Sequence, residues 1–373
     1  MQPRTVGIEE ELLLVDPETR ELAPRAQDAL SRQVDDASLA PDEALEKELF
    51  RHQLETRTAP LVDLGEVREH LVRQRRAAAA AAEGVGVLTA ATGTTPVQSG
   101  EPKVSRDDRY LTMLQRYGEI ARGGGICAMH VHVGIDSDEQ GVTLVDELAP
   151  WLPLLLAISA NSPYARGRDT GYHSWRSQEW ARWPSAGPTE RFGSVERYRE
   201  VCQWLIESGA ALDPAMLYFD ARLSEGNPTV EVRITDVCAD PDDALLVTAL
   251  VRALVMWVAD LGGDGAELPV WRAEMLQAAK WRAARHGLSG ALVSPITGQL
   301  APVRDVLATL VRTVRDPLEA CGDLALVEDG LDRVLAGGGA SRQRAAYERS
   351  DGDLRAVVDD LVARTNACWQ TRN

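Results

Sequence analysis

Apolar and polar residues alternate with a period of two along Thr5–Asp16, so that in an extended chain Gly7, Glu9 and Glu11 share one face while Ile8, Glu10, Leu12 and Leu14 share the other. Similar stretches predict a strand at Leu54–Thr58, closed by Pro60, and further strands over Gly86–Thr92, Ile126–Ile135 after Gly123-Gly124-Gly125, Met216–Leu223 and Thr229–Asp236. Helical patterns fall between them: Ala26–Val34, a helix from Asp63 or Gly65 to about Glu83, Asp108–Ala121, Thr143–Ala160 with interruptions at Pro150 and Pro153, and Ser194–Ser208. Beyond Asp240 the chain reads as helical scaffold, over Asp243–Asp260, Pro269–His286, Pro302–Glu319 and Leu354–Trp369, with a small hairpin near Leu292–Leu300. No Pro/Gly/Ser-rich linker divides these elements, and the expectation is a single α+β domain covering residues 1–373.

The first strand is chemically odd. Two carboxylates on one face, with no cation beside them in sequence, raise each other's pKa; either a metal ion separates them or the strand is exposed and its acids face water. Three later strands also place residues of ligand type between apolar ones. Glu55 lies in the second strand, with Glu48 just before it, although each taken singly reads as a surface acid. His130 and His132 point the same way from Met129–Val133, a pairing that suits a metal or a phosphate as readily as a packed core. Glu231 and Arg233 project together opposite Val230, Val232 and Ile234, where a plain cross-strand ion pair is the alternative. Nothing resembling H-E-x-x-H supports a zinc site.

The segment Asn161–Gly193 lacks periodicity and is dense in Arg, Trp, Tyr, Gly and Pro. A connection this long is more often functional than a spacer, and guanidinium groups present a bidentate fork to carboxylate or phosphate oxygens. The alternative is a surface loop with its tryptophans packed beneath it.

Composition narrows the choices. The 373 residues are 45% hydrophobic and carry a formal charge of −17, which argues against nucleic acid or an anionic membrane as partner. Five scattered cysteines, Cys127, Cys202, Cys238, Cys321 and Cys368, form neither a disulfide framework nor a zinc cluster. The longest apolar helix candidate, Ala244–Ala259, is short for a bilayer and contains Arg252, and the opening residues show no basic segment followed by an apolar one. A cytoplasmic protein is expected.

In series, Gly7-Ile8-Glu9-Glu10-Glu11, the L-E-x-x-T-x-P of Leu54–Pro60, Met129-His130-Val131-His132-Val133, the N-S-P-Y-x-R-G-R-D-T-G-Y of Asn161–Tyr172, the R-W-P-x-A-G-P of Arg182–Pro188 and the T-V-E-V-R-I-x-D-V of Thr229–Val237 resemble the carboxylate-amine ligases related to bacterial glutamate-cysteine ligase, often called the YbdK family. The resemblance implies a glutamine synthetase-like fold, a curved, largely antiparallel sheet forming an active-site funnel and backed by helices. It implies Mg2+, with Mn2+ as an alternative ion, held by Glu9, Glu11, Glu48, Glu55, His130 and Glu231. It implies ATP as co-substrate near His132, Arg233 and Arg222, and substrate binding by Arg166, Arg168, Arg176 and Tyr172, with Arg233 and Arg168 in catalytic roles. The implied reaction joins L-glutamate to cysteine or another amine through an acyl phosphate, in a chain that often forms dimers or larger assemblies. A carboxylate or guanidino kinase of related fold, and a non-catalytic binding protein, are the alternatives.

Overall fold

The computed structural model describes residues 2–34, 45–97, 100–105, 107–123, 125–261, 270–367 and 369; Gly124, Pro269 and Cys368, named above, lie outside them. Strand β1 (Val6–Val15) is the axis of the main sheet. It is joined there by β2 (Glu46–Lys47), β3 (Gln53–Arg57), β4 (Leu88–Ala90) and β5 (Met129–Gly134). After a separate two-residue hairpin, β6 (Tyr164–Ala165) and β7 (Arg168–Asp169), come β8 (Ala221–Leu223) and β9 (Thr229–Val232). The order is β2-β3-β1-β5-β9-β8, with β4 beside the second half of β1, and every pairing is antiparallel. A further hairpin, β10 (Ala291–Val293) and β11 (Leu300–Pro302), stands apart.

Burial along β1 follows its two jobs. Alternate residues are buried as far as Glu11, then every residue from Leu12 to Val15. The first half offers one face to a cavity; the second, flanked by β3 and β4, enters the core on both faces. On the side away from the cavity, Glu10 is fully buried and forms a bidentate ion pair with Arg75 of helix Leu64–Glu83, at 2.7 and 2.6 Å. Arg75 also donates to the carbonyls of Cys238 and Ala239, so its guanidinium is solvated by the protein. Asp63 caps that helix, its side chain accepting from the Glu66 N–H.

Helix Pro241–Leu261 runs behind the sheet, packed on β1, β5 and the helices Leu64–Glu83, Asp138–Leu148 and Leu152–Ser159. With 21 residues it is longer than the sequence pattern indicates, and long and apolar enough to cross a membrane, but 78% of its apolar window is buried inside the protein. Arg252 within it is buried, pairing with Asp323 and the Val62 carbonyl.

Other boundaries also moved. The expected helix Asp108–Ala121 breaks at Gly118, whose φ of 56° lies in the left-handed region, into Asp108–Tyr117 and Glu119–Arg122. The helix expected from Thr143 starts at Asp138, because Ser137 caps it by accepting from the Gln140 N–H. Pro302–Glu319 is two helices, Val303–Thr313 and Arg315–Cys321. The helices Leu324–Gly337 and Gly339–Arg349 have no counterpart in the sequence reading.

Three groups from the start of the aperiodic segment converge on one carboxylate. Asp236, fully buried, accepts from the Asn161 N–H (2.9 Å), the Ser162 hydroxyl (2.6 Å) and the Ser174 hydroxyl (2.8 Å). The loop is thereby tied to the chain leaving β9.

Candidate active site

A cavity of about 430 Å3 opens over one face of the sheet, lined by alternate residues of β1, β3, β5 and β9. Antiparallel register decides who meets whom: Glu9 faces His130, Glu11 faces Glu55, His132 faces Glu231, and Glu231 faces Arg222. Two clusters result. Ligand atoms of Glu9, His132 and Glu231 lie within 4.8 Å of one another, and so do those of Glu11, Glu48 and Glu55.

The clusters differ in charge balance. In the first, burial would raise the Glu9 carboxyl, but contacts to His130 Nδ1 (3.2 Å) and His132 Nε2 (3.4 Å) hold it well below the usual carboxylate range. Glu231 is likewise buried and still held low, because Arg233 donates to one oxygen and Arg222 Nε to the other, at 2.7 Å. Burial and the neighbouring Arg233 depress His130 to about 4. In the second cluster Glu11 accepts from the Ala128 N–H at 2.8 Å, but among the described residues none of the three acids forms an ion pair. Burial, then repulsion from Glu48, pushes Glu11 up to about 8, and the same causes raise Glu55 well above its ordinary value. Lys47, close by on β2, is engaged by Asp107.

Three acids converging on one point, with Glu11 and Glu55 raised above the usual carboxylate range, fit a divalent ion held by hard oxygens. The first cluster adds an imidazole to two carboxylates, a softer donor set than the all-oxygen one. The buried Nε2 of His130 has no hydrogen-bond partner, which leaves it available to a ligand.

The arginines are arranged otherwise than the sequence suggests. Arg222 and Arg233 line the cavity, both committed to Glu231. Arg176 is buried beneath it; its guanidinium donates to the carbonyls of Ile234 (3.3 Å) and Arg233 (3.2 Å) and stacks on Trp180, so it braces the end of β9. Arg166 and Arg168 are exposed on the β6–β7 hairpin, and Tyr172 packs against Trp175 and Arg285 while its hydroxyl accepts from Trp281 Nε1. None of Arg166, Arg168, Arg176 and Tyr172 is among the residues lining the cavity.

Other residues do line it. Arg109 and Tyr110 come from helix Asp108–Tyr117, Arg109 forming a bidentate pair with Asp213 at 2.7 and 2.9 Å. Glu179, Trp180, Trp183 and Tyr218 form another wall, with Trp180 and Tyr218 rings 4.4 Å apart. The Trp-rich composition of Arg176–Pro184 hinted at the tryptophans. Arg109 and Tyr110 gave no signal, since on an amphipathic helix they read as a solvated face.

A glutamate–cysteine ligase 2-1 of Nocardioides sp., so named provisionally, is 54% identical over 98% of this chain and 97% of its own length. A provisionally named glutamate–cysteine ligase 2 of Streptomyces coelicolor is 44% identical over 98% and 99%. Among solved structures, the glutamate–cysteine ligase of Francisella tularensis in complex with AMP superposes with a TM-score of 0.72 at 13% identity, covering 100% of this chain and 90% of that one. A bifunctional glutathione synthetase of Pasteurella multocida gives 0.67 at 16%, covering 98% and 53%. These two likenesses establish the α+β fold expected from the sequence. The model of glutamate-cysteine ligase family 2 matches residues 5–360, and the chain belongs to that family.

Proposed function

We propose that the chain is an ATP- and Mg2+-dependent carbon–nitrogen ligase that joins the γ-carboxylate of glutamate to an amine, cysteine or another, through an acyl phosphate. The observation that carries this reading is the pair of acidic clusters on one sheet face, the first of them flanked by two arginines, Arg222 and Arg233, both paired with Glu231. A carboxylate is a poor electrophile because its oxygen is a poor leaving group. Passing the γ-phosphoryl group of ATP to that oxygen releases ADP; the amine nitrogen then bonds to the acyl carbon, phosphate departs, and the amine proton passes to an oxygen in the cavity.

Divalent ions held by Glu9, His132 and Glu231 and by Glu11, Glu48 and Glu55 would neutralise the triphosphate and the charge that builds on the phosphoryl group. The chain's own part is positioning. The bracing of Arg233 by Glu231, and of its backbone by Arg176, fixes one guanidinium at the cavity wall, and Arg222 fixes a second. His130 and His132 orient Glu9 by contacting both its oxygens. Burial around the clusters keeps the field of these charges strong.

ADP release, followed with Mg2+, ATP and L-glutamate against a panel of amines, with mass spectrometry of the products, tests this reading. ADP that requires both carboxylate and amine, together with a dehydrated adduct, is expected, and Glu231→Gln should remove both. A stable phosphorylated product formed without any amine would replace the ligase by a kinase. No turnover with any pair would leave the protein as a binder.

A further inference from the structure

Beyond one wall of the acidic cavity lies a second concavity of about 880 Å3 with the opposite charge. Among the described residues Arg51, Lys103, Arg122, Arg166 and Arg182 line it, against Glu101 and Glu119. This is unusual in a chain of 57 acidic and 40 basic residues, whose surface concavities should by composition be acidic. Arg122 pairs with Glu119 at 3.0 Å, whereas among the described residues no carboxylate lies within ion-pair distance of Arg51 or Lys103. Cations gathered and left partly unpaired raise the local concentration of anions.

The wall between the two spaces is thin. Both are lined by Gly123, where a Cβ would meet Arg182 Nη1 at 3.1 Å, so glycine lets the guanidinium lie close against this wall. Glu179, on the acidic side, accepts from Arg182 (2.7 Å) and Arg166 (3.5 Å) on the basic side. Arg166 holds a φ of 52°, a left-handed conformation that a non-glycine residue keeps only where its surroundings impose it, here at the tight β6–β7 turn.

The acidic cavity, at about 430 Å3, has the size of a site for one small molecule, yet the reaction proposed above brings three reactants together. We propose that the basic concavity receives the amine acceptor, and that this acceptor carries an anionic group, carboxylate or phosphate, remote from its amino nitrogen. The inference rests on the ligase reading for the word acceptor, but not for the presence of an anion site.

Two arms test it. In the first, kcat/KM is measured for ε-aminocaproate against n-hexylamine and for O-phosphoethanolamine against ethanolamine, which separates carboxylate from phosphate. An anionic acceptor should be preferred about tenfold or more, through KM, and the preference should largely vanish in Arg166→Ala/Arg182→Ala. Equal use of charged and neutral amines by the unaltered enzyme would overturn the proposal. In the second arm, inorganic phosphate is titrated calorimetrically in EDTA, where no divalent ion is present to bring phosphate to the acidic cavity. Saturable binding that weakens about tenfold in the double variant is expected, and absence of binding in the unaltered protein overturns the site. If the double variant fails to fold, Arg122→Glu reads the same concavity. Phosphate binding without any turnover would overturn the ligase reading and keep the anion site.

Discussion

Glu55 shows how much of a site one carboxyl can govern. It stands across the strand pair from Glu11 and within the same 4.8 Å cluster as Glu48, with burial and both neighbours opposing its charge. Without a divalent ion that charge is a liability, so Glu55→Gln should stabilise the metal-free protein by about 1–2 kcal/mol while reducing the rise in Tm that Mg2+ produces. Thermal scans in EDTA and in Mg2+ would show it; a variant no more stable than its parent in EDTA, with an undiminished Mg2+ increment, would separate Glu55 from any ion. Which acids share the face was readable from the period of two, because side-chain alternation in a strand is local. Which histidine joins which acid was not: His132 reaches Glu231 through the pairing of β5 with β9, a long-range register absent from either strand's own sequence. The same limit concealed Arg109, whose place at the cavity depends on Asp213, far along the chain.

Elements are held by a few costly contacts. The Glu10–Arg75 pair, with both side chains fully buried, fastens helix Leu64–Glu83 to the back of β1. Arg75→Met should destabilise the protein by about 3–5 kcal/mol, since it strands a buried carboxylate, and adding Glu10→Leu should recover most of the loss. Denaturant unfolding of both variants measures this; equal losses in the single and double variants would mean that the guanidinium's bonds to Cys238 and Ala239 outweigh the pair. From the sequence, Glu10 was correctly placed on the opposite face from Glu9 and Glu11, but nothing named its partner. The helices of residues 324–349 were missed because their glycines look like breakers. Gly330 instead lets the helix approach Leu246, where a Cβ would stand 3.0 Å from Cδ1, and Gly339 lies where a Cβ would collide with Asn161 at 2.6 Å. Glycine there serves close packing of helices, which a single-sequence pattern cannot distinguish from a turn.

At the scale of the whole molecule, two sets of buried groups set opposite limits on pH. His52 and His173 are held near 4 by burial, below their ordinary 6.5, so the folded state binds fewer protons than the unfolded one in that interval and stability falls as pH drops from 6.5 toward 4. Glu11, raised by burial to about 8, binds its proton in the folded state where the unfolded chain has lost it, so stability falls as pH rises from 4.5 toward 8. The metal-free protein should therefore be most stable at about pH 6, with His52→Gln softening the acid limb and saturating Mg2+ flattening the alkaline one. Melting temperatures across that range check both limbs, and a profile unchanged by either manipulation would rule these groups out as its cause. Asp236 has a consequence at this scale too. By gripping Asn161, Ser162 and Ser174, it welds two segments some seventy residues apart into one part. Anyone recombining such enzymes to change what they accept cannot trade the loop as a cassette: a graft of residues 161–177 travels with the tail of β9 or loses its anchor.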